Sequence, residues 1–172
     1  MSKSLAHDES LHNGADIKQA GYRAPQVCKL VGITYRQLDY WARTDLLKPS
    51  LQSARGSGSQ RLYSFTDVVQ LKVVKRLLDA GMSLKKIREA VSNLRAELAS
   101  DRPLMDVTLL SDGSSIYAAH SADEVVDVFR RGQGVFGIAI GPVQLELEGE
   151  ILDLFPGTEQ RTEDTSSEAQ AN

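Results

Sequence analysis

The chain has 172 residues, 41% of them apolar, 25% charged and 6% aromatic, with a formal net charge of −3. That length holds one domain or two small ones. No run approaches the roughly 18 apolar residues of a membrane span, and the opening MSKSLAHDES lacks a basic-then-apolar secretory pattern, so a cytoplasmic protein is expected. The single cysteine, Cys28, excludes an internal disulfide and any multi-cysteine metal centre. Charge is unevenly placed: residues 21–100 carry 14 Lys/Arg against 6 Asp/Glu, and residues 101–172 carry 4 against 14. This reads as a basic half that faces nucleic acid, joined to an acidic half with another task.

Residues 1–20 are polar and aperiodic and read as a flexible arm. A first helix is expected from about Ala24, because Pro25 suits a first turn and Val27, Leu30 and Val31 form an apolar stripe that stops at Gly32. Thr34 opens a second helix through the capping-box pattern Thr34-x-x-Gln37, with Leu38 and Trp41 inward. Two short helices split by Gly32-Ile33 make a helix-turn-helix signal. Leu46-Leu47-Lys48-Pro49 ends the second helix. The Gly/Ser-rich stretch 50–60, followed by the extended segment Arg61-Leu62-Tyr63-Ser64, predicts a hairpin with a mobile tip. Ser64-x-x-Asp67 caps a third helix that ends at Ala80-Gly81, and Ser83 starts a fourth. The fourth carries a narrow seam of Leu84, Ile87, Val91, Leu94 and Leu98, suited either to packing on the third helix or to a subunit contact.

Asp101-Arg102-Pro103 marks a linker over 101–106. In the acidic half, 107–155, Asp112-Gly113 predicts a hairpin between Val107–Leu110 and Ser115–Ala119. Ser121-x-x-Glu124 caps a helix, and a second hairpin is expected from Val135–Ile140 and Val143–Leu154 about Gly141-Pro142. The expected class is α+β: a mostly helical N-terminal unit over 21–100 with a β-hairpin, then a small two-layer ββαββ unit and a disordered tail from 156 to 172.

The chemistry follows from the second helix. A helix-turn-helix braces one helix so that the N-terminal side chains of the next reach base edges in the major groove. Those positions are Thr34, Tyr35, Arg36 and Gln37; Arg36 suits guanine or phosphate, while Tyr35, Tyr40 and Arg43 suit flanking phosphates. A hairpin bearing Arg55 and Arg61 is then expected against the adjacent backbone or minor groove. One short recognition helix reads too few base pairs to be selective, so a homodimer on an inverted repeat is expected, with double-stranded DNA as the partner. The rival readings are an architectural, excisionase-like DNA-bending protein and an adaptor that binds a protein through its acidic half.

Other motifs carry less. Gly132-x-Gly134-x-x-Gly137 follows a helix and enters a strand, the reverse of a dinucleotide site. Glu146, Glu148 and Glu150 alternate, so on a strand they share one solvated face. His120 reads as a turn residue and Cys28 as a small buried one. No catalytic residue, cofactor or metal site is expected, since no nucleophile has a partnered histidine. Ligand sensing by the acidic half is a third possibility, for which the sequence names neither an effector nor a pocket.

Tyr22 to Arg88 resembles the MerR family of bacterial winged helix-turn-helix transcriptional regulators. The matching blocks are Gly32-Ile33-Thr34-Tyr35-Arg36-Gln37-Leu38-Asp39-Tyr40-Trp41, Leu46-Leu47-Lys48-Pro49, Arg61-Leu62-Tyr63-Ser64, and Ala80-Gly81-Met82-Ser83-Leu84 with Ile87. The resemblance implies that Arg36 and its neighbours read the groove and that Tyr40 and Arg43 touch the backbone. It places Arg55, Arg61 and Tyr63 in the wing, adds Lys48 to the DNA-binding set, and brings RNA polymerase in as a partner on nucleoid DNA. The acidic half is similar to the short C-terminal domains of actinobacterial MerR-like cell-division regulators, through Ser111-Asp112-Gly113, Ser121 to Asp127 and Gly132 to Ala139. Pro103 stands where many members grow a long dimer helix, and Cys28 is misplaced for thiolate metal sensing.

Overall fold

A computed structural model describes residues 16–54, 59–105, 107–112, 115–124 and 136–154. Their elements in chain order are β1 (Gly21–Arg23), α1 (Ala24–Val31), α2 (Tyr35–Arg43), β2 (Leu62–Ser64), α3 (Phe65–Asp79), α4 (Leu84–Leu98), β3 (Thr108–Ser111), β4 (Ile116–Ala119), β5 (Phe136–Ile138) and α5 (Ile140–Leu154). The class is α+β, as expected.

Local signals in the basic half act where the sequence puts them. Pro25 sits in the first turn of α1, and Gly32 ends that helix at φ 78°, a left-handed conformation that costs a residue with a Cβ. Thr34 Oγ1 accepts from Gln37 N–H at 3.2 Å while Gln37 Oε1 accepts from Thr34 N–H at 2.9 Å, so the box closes in both directions. Ser64 caps α3 through the same box with Asp67, and the Ser83 hydroxyl caps α4 by accepting from Lys86 N–H at 3.3 Å. Asp67 does more than cap: its buried Oδ2 accepts from Ser64 N–H (2.8 Å), Ser50 N–H (2.8 Å) and Ser50 hydroxyl (2.7 Å), which pins the loop after Pro49 to the start of α3.

The main partner of β2 is β1, an element not foreseen in the sequence. The strands run antiparallel with Tyr22 opposite Tyr63, and both aromatic rings are buried in the core. The expected hairpin partner contributes a single bridge, Gln52 to Leu62, held by backbone hydrogen bonds of 2.9 and 3.1 Å. Residues 16–19, assigned to the arm from sequence, form a helical turn; Ile17 is buried and its carbonyl accepts from Tyr22 hydroxyl at 2.8 Å.

Beyond α4 the structure corrects the sequence reading twice. Leu104, inside the expected linker, is fully buried, and one apolar cluster runs without interruption from Ile17 to Ile151. The α4 seam of Ile87, Val91 and Leu94 is used up inside this cluster. The expected strand Val143–Leu154 is instead the helix α5, so the ββαββ pattern loses its last strand. The described strands beyond α4 form one antiparallel sheet of order β4-β3-β5. The true period is Ile140, Val143, Leu147, Ile151, a 3,4,4 spacing that lays one stripe on α3 and α1. Burying each of these four aliphatic side chains gains about 1.5–3 kcal/mol in transfer free energy, enough to override an alternating pattern. Glu146 and Glu150, four apart, therefore face α3, and Glu148 lies on the opposite flank. The expected helix after Ser121 begins as read, with Ser121 hydroxyl accepting from Glu124 N–H at 3.2 Å and Glu124 accepting from His120 N–H at 2.7 Å. Val125 to Val135, with Gly132 and Gly134, lies outside the described residues, as does the expected tail 156–172.

Candidate nucleic-acid interface

On α2 the buried positions are Leu38, Trp41 and Ala42, which leaves Arg36, Asp39, Tyr40 and Arg43 along the outward side at i, i+3, i+4, i+7 spacing. Tyr35 is 61% exposed and Tyr40 45%, an unusual state for large aromatic rings in a chain with room for them inside. Arg36 is exposed at the helix start. Thr34 and Gln37 are exposed too, but their oxygens are engaged in the cap, which fixes the first turn of α2.

Asp39, which the sequence reading left without a role, organises this face. Its two oxygens accept from Arg43 Nε at 2.8 Å and from Arg61 Nη1 at 2.8 Å, joining α2 to the segment that enters β2. The hydrogen bond from Arg61, helped by the charges of Arg43 and Arg61, holds the Asp39 carboxyl below the usual range despite some desolvation. Arg61 is thereby fixed, its side chain only 14% exposed. The i,i+4 spacing to Arg43 was visible in the sequence; the long-range partner Arg61 was not. Between the start of α1, α2 and the 59–61 segment lies a groove of about 500 Å³ lined by Arg23, Pro25, Tyr35, Asp39, Gln60 and Arg61.

The C-terminal end of α2 is held from behind. The carbonyls of the cap and turn that follow it need donors, and α4 supplies them. Arg88 donates to Thr44 O and, at 2.8 Å, to Thr44 Oγ1; Arg95 donates to Leu46 O at 3.1 Å and Asp45 O at 3.3 Å. The Arg88 guanidinium also lies 6.0 Å from the centroid of Tyr40, stacking behind the outward face. Lys48 is exposed and paired with Asp45, whose carboxyl the Lys48 hydrogen bond keeps low.

One expected contact is relocated. Tyr63 is completely buried, opposite Tyr22, because alternation on β2 turns it to the core; burial pushes its phenol up to about 12. It has no surface to offer to DNA. Arg55 lies outside the described residues. Cys28 is half-buried on α1, and burial pushes its thiol up. Among the described residues no trio of His, Cys, Asp or Glu is placed to hold a metal ion, and no helix is long and apolar enough to cross a membrane.

Residues 22–94 match the family described as MerR HTH family regulatory protein. An uncharacterized HTH-type transcriptional regulator of Mycobacterium tuberculosis is 59% identical over 133 residues, covering 77% of this chain and 58% of that protein; one from Mycobacterium bovis matches equally. The chain thus spans a little over half the length of these relatives. The HTH-type transcriptional regulator GlnR of Bacillus anthracis is 34% identical over 65 residues, 38% of this chain and 47% of that protein. A solved structure of HiNmlR, a MerR family regulator lacking the sensor domain and bound to promoter DNA, aligns over 78% of this chain and 76% of its own with a TM-score of 0.39 and 16% identity.

Proposed function

From the match of residues 22–94 to the MerR HTH family we propose that this chain is a member of that family, a DNA-binding transcriptional regulator that acts as a homodimer on an inverted-repeat promoter site. The observation that carries the proposal is the outward side of α2, where Tyr35, Arg36, Tyr40 and Arg43 stand exposed on a helix capped at one end by Thr34 and braced at the other by Arg88.

In this reading the start of α2 enters the major groove. Arg36, which has no partner among the described residues, reads a base edge with its planar donor fork. Tyr35, Tyr40, Arg43 and Lys48 reach phosphates on either flank, and Arg61 shapes the groove beside them while bound to Asp39. Fixing these groups before DNA arrives lowers the entropy lost on binding. RNA polymerase is the expected second partner if the regulator activates; occlusion of the promoter needs none.

The test is selection of fragmented genomic DNA by the purified protein at about physiological salt, where the nonspecific phosphate term is suppressed. The expected result is a few promoter fragments sharing an inverted repeat. Arg36→Ala should then cost about 1–3 kcal/mol on the selected site, roughly 5- to 150-fold in Kd, and little on random DNA. Uniform recovery with strong bending favours an architectural protein; function retained after Arg36→Ala favours an adaptor.

A further inference from the structure

We infer that the cleft between the turn after α2, the start of α3 and the end of α4 is a binding site for a small zwitterion that carries an amide, the chemistry of a dipeptide. Such a site stands whether or not the chain regulates transcription.

The cleft encloses about 730 Å³, within the range of small-molecule sites. Its buried wall is the side of α3 that carries Asp67 and Gln70, three residues apart. Gln70 is only 2% exposed and stands in a run of buried aliphatic residues, Val68, Val69, Leu71, Val73 and Val74. Its Oε1 is sealed from solvent and has no hydrogen-bond partner among the described residues. Buried acceptors without donors are rare and costly, so an apolar side chain at this position would serve folding better. The Tyr63 hydroxyl is unpaired too, but it belongs to the core opposite Tyr22, whereas Gln70 lines a cleft. A carboxamide offers an acceptor beside a donor, and turning it over exchanges them. The group that satisfies both at once is another amide.

The charges specify the rest. Asp67 engages Oδ2 with Ser50 and Ser64, while its Oδ1 accepts from nothing among the described residues. An ammonium is the donor that this oxygen holds best. Arg102 is exposed, and its side chain has no partner among the described residues; Lys48 is held only by Asp45 in a surface pair of little strength. These two cations suit a carboxylate. Four cationic side chains and three carboxylates line the cleft, so a phosphate or a metal ion meets repulsion as well as attraction there, and a molecule bearing both signs meets its complement. Leu47, Pro49 and Leu51 complete the lining, and Leu51 is 50% exposed, an aliphatic surface for the side chain of the ligand.

The experiment is calorimetric titration of the full chain, without DNA, with the natural dipeptides in small pools and then singly. At least one is expected to bind with a Kd of about 1 mM or tighter, the range open to a ligand of that size. Its constituent amino acids, which lack the peptide group, should each bind at least about tenfold more weakly. Gln70→Leu should weaken the best dipeptide at least about tenfold while Tm holds or rises, because the variant removes an unpaired polar group. Arg102→Ala, at an exposed position, should weaken it as much with Tm unchanged, and Lys85→Ala, exposed on α4 but outside the cleft, should leave it unchanged. No binding by any dipeptide at about 10 mM overturns the inference. Full affinity in a folded Gln70→Leu or Arg102→Ala overturns it too, as do constituent amino acids that bind as tightly as the dipeptide. Because no DNA is present, a chain that selects a promoter but binds no dipeptide refutes this site alone, and one that binds a dipeptide but selects no DNA refutes the regulator reading alone.

Discussion

Replacing Lys72 by methionine should be the most damaging conservative change on the surface of α3. Its ammonium donates to Leu30 O at 2.7 Å and to both oxygens of Glu150 at 3.1 Å, and lies 3.5 Å from Glu146, with the side chain only 14% exposed. One group thus closes the end of α1, the middle of α3 and the face of α5. Methionine keeps the packing of the stem but strands the Leu30 carbonyl, at about 1–3 kcal/mol for a polar group deprived of its donor. The carboxylates are about one-third exposed and can rehydrate, so their loss adds no more than about 1 kcal/mol. The sum is roughly 1–4 kcal/mol, or about 3–12 °C in Tm for a chain of this size. Lys75→Met, which removes an exposed i,i+4 pair with Asp79, should cost no more than about 0.5 kcal/mol. Thermal unfolding of both variants at low and high salt checks this: the Lys75 effect should vanish in about 1 M salt and the Lys72 effect persist. Equal effects, or a Lys72 effect that salt abolishes, would refute the triple junction.

Tyr63→Phe should leave DNA affinity unchanged and hold or raise stability by about 1 kcal/mol, since the buried Tyr63 hydroxyl has no hydrogen-bond partner among the described residues; a fall in affinity measured by titration with the selected DNA would restore Tyr63 to the interface. Burial raises the phenols of Tyr22 and Tyr63 from 10.0 to about 12, so the folded state retains protons that the unfolded chain releases. Stability from these groups is whole below pH 10 and should fall as pH rises toward 12, with Tyr63→Phe removing its share in denaturant titrations. Gly32→Ala should cost about 1–2 kcal/mol through its left-handed φ alone, since space for the Cβ is open; an unchanged urea midpoint would show that the turn relaxes.

How far each element could be read depended on whether its cause was local. The caps at Thr34, Ser64 and Ser83 and the stop at Gly32 arise within a few residues, and the sequence shows them directly. β1 could not be seen because three residues, Gly-Tyr-Arg, become a strand only when β2 arrives from about forty residues away. The segment from Val143 to Glu148 alternates apolar and polar side chains and satisfies both periods; Leu145 counts as core on a strand and as surface on a helix. What decides is distant, the apolar bed on α3 and the cations Lys72 and Arg76 spaced to meet Glu146 and Glu150. At the interface, Arg36, Tyr35, Tyr40 and Arg43 follow from helical phase, but Asp39 as a clamp on Arg61, and Arg88 and Arg95 as donors to the end of α2, depend on contacts across the chain.

Because α3 is enclosed by α1 and α4 on some sides and by α5 on another, the basic half is not a detachable module. A fragment ending near residue 100 would keep every cap and every outward side chain of α2. It would nonetheless open the bed beneath Val143 and Leu147 to water and leave Lys72 with the Leu30 carbonyl alone. Such a fragment would be stickier and less rigid than the same residues in the whole chain. A weak or unselective DNA-binding curve from it would then measure the wound left by the cut and would not count against the role proposed for α2.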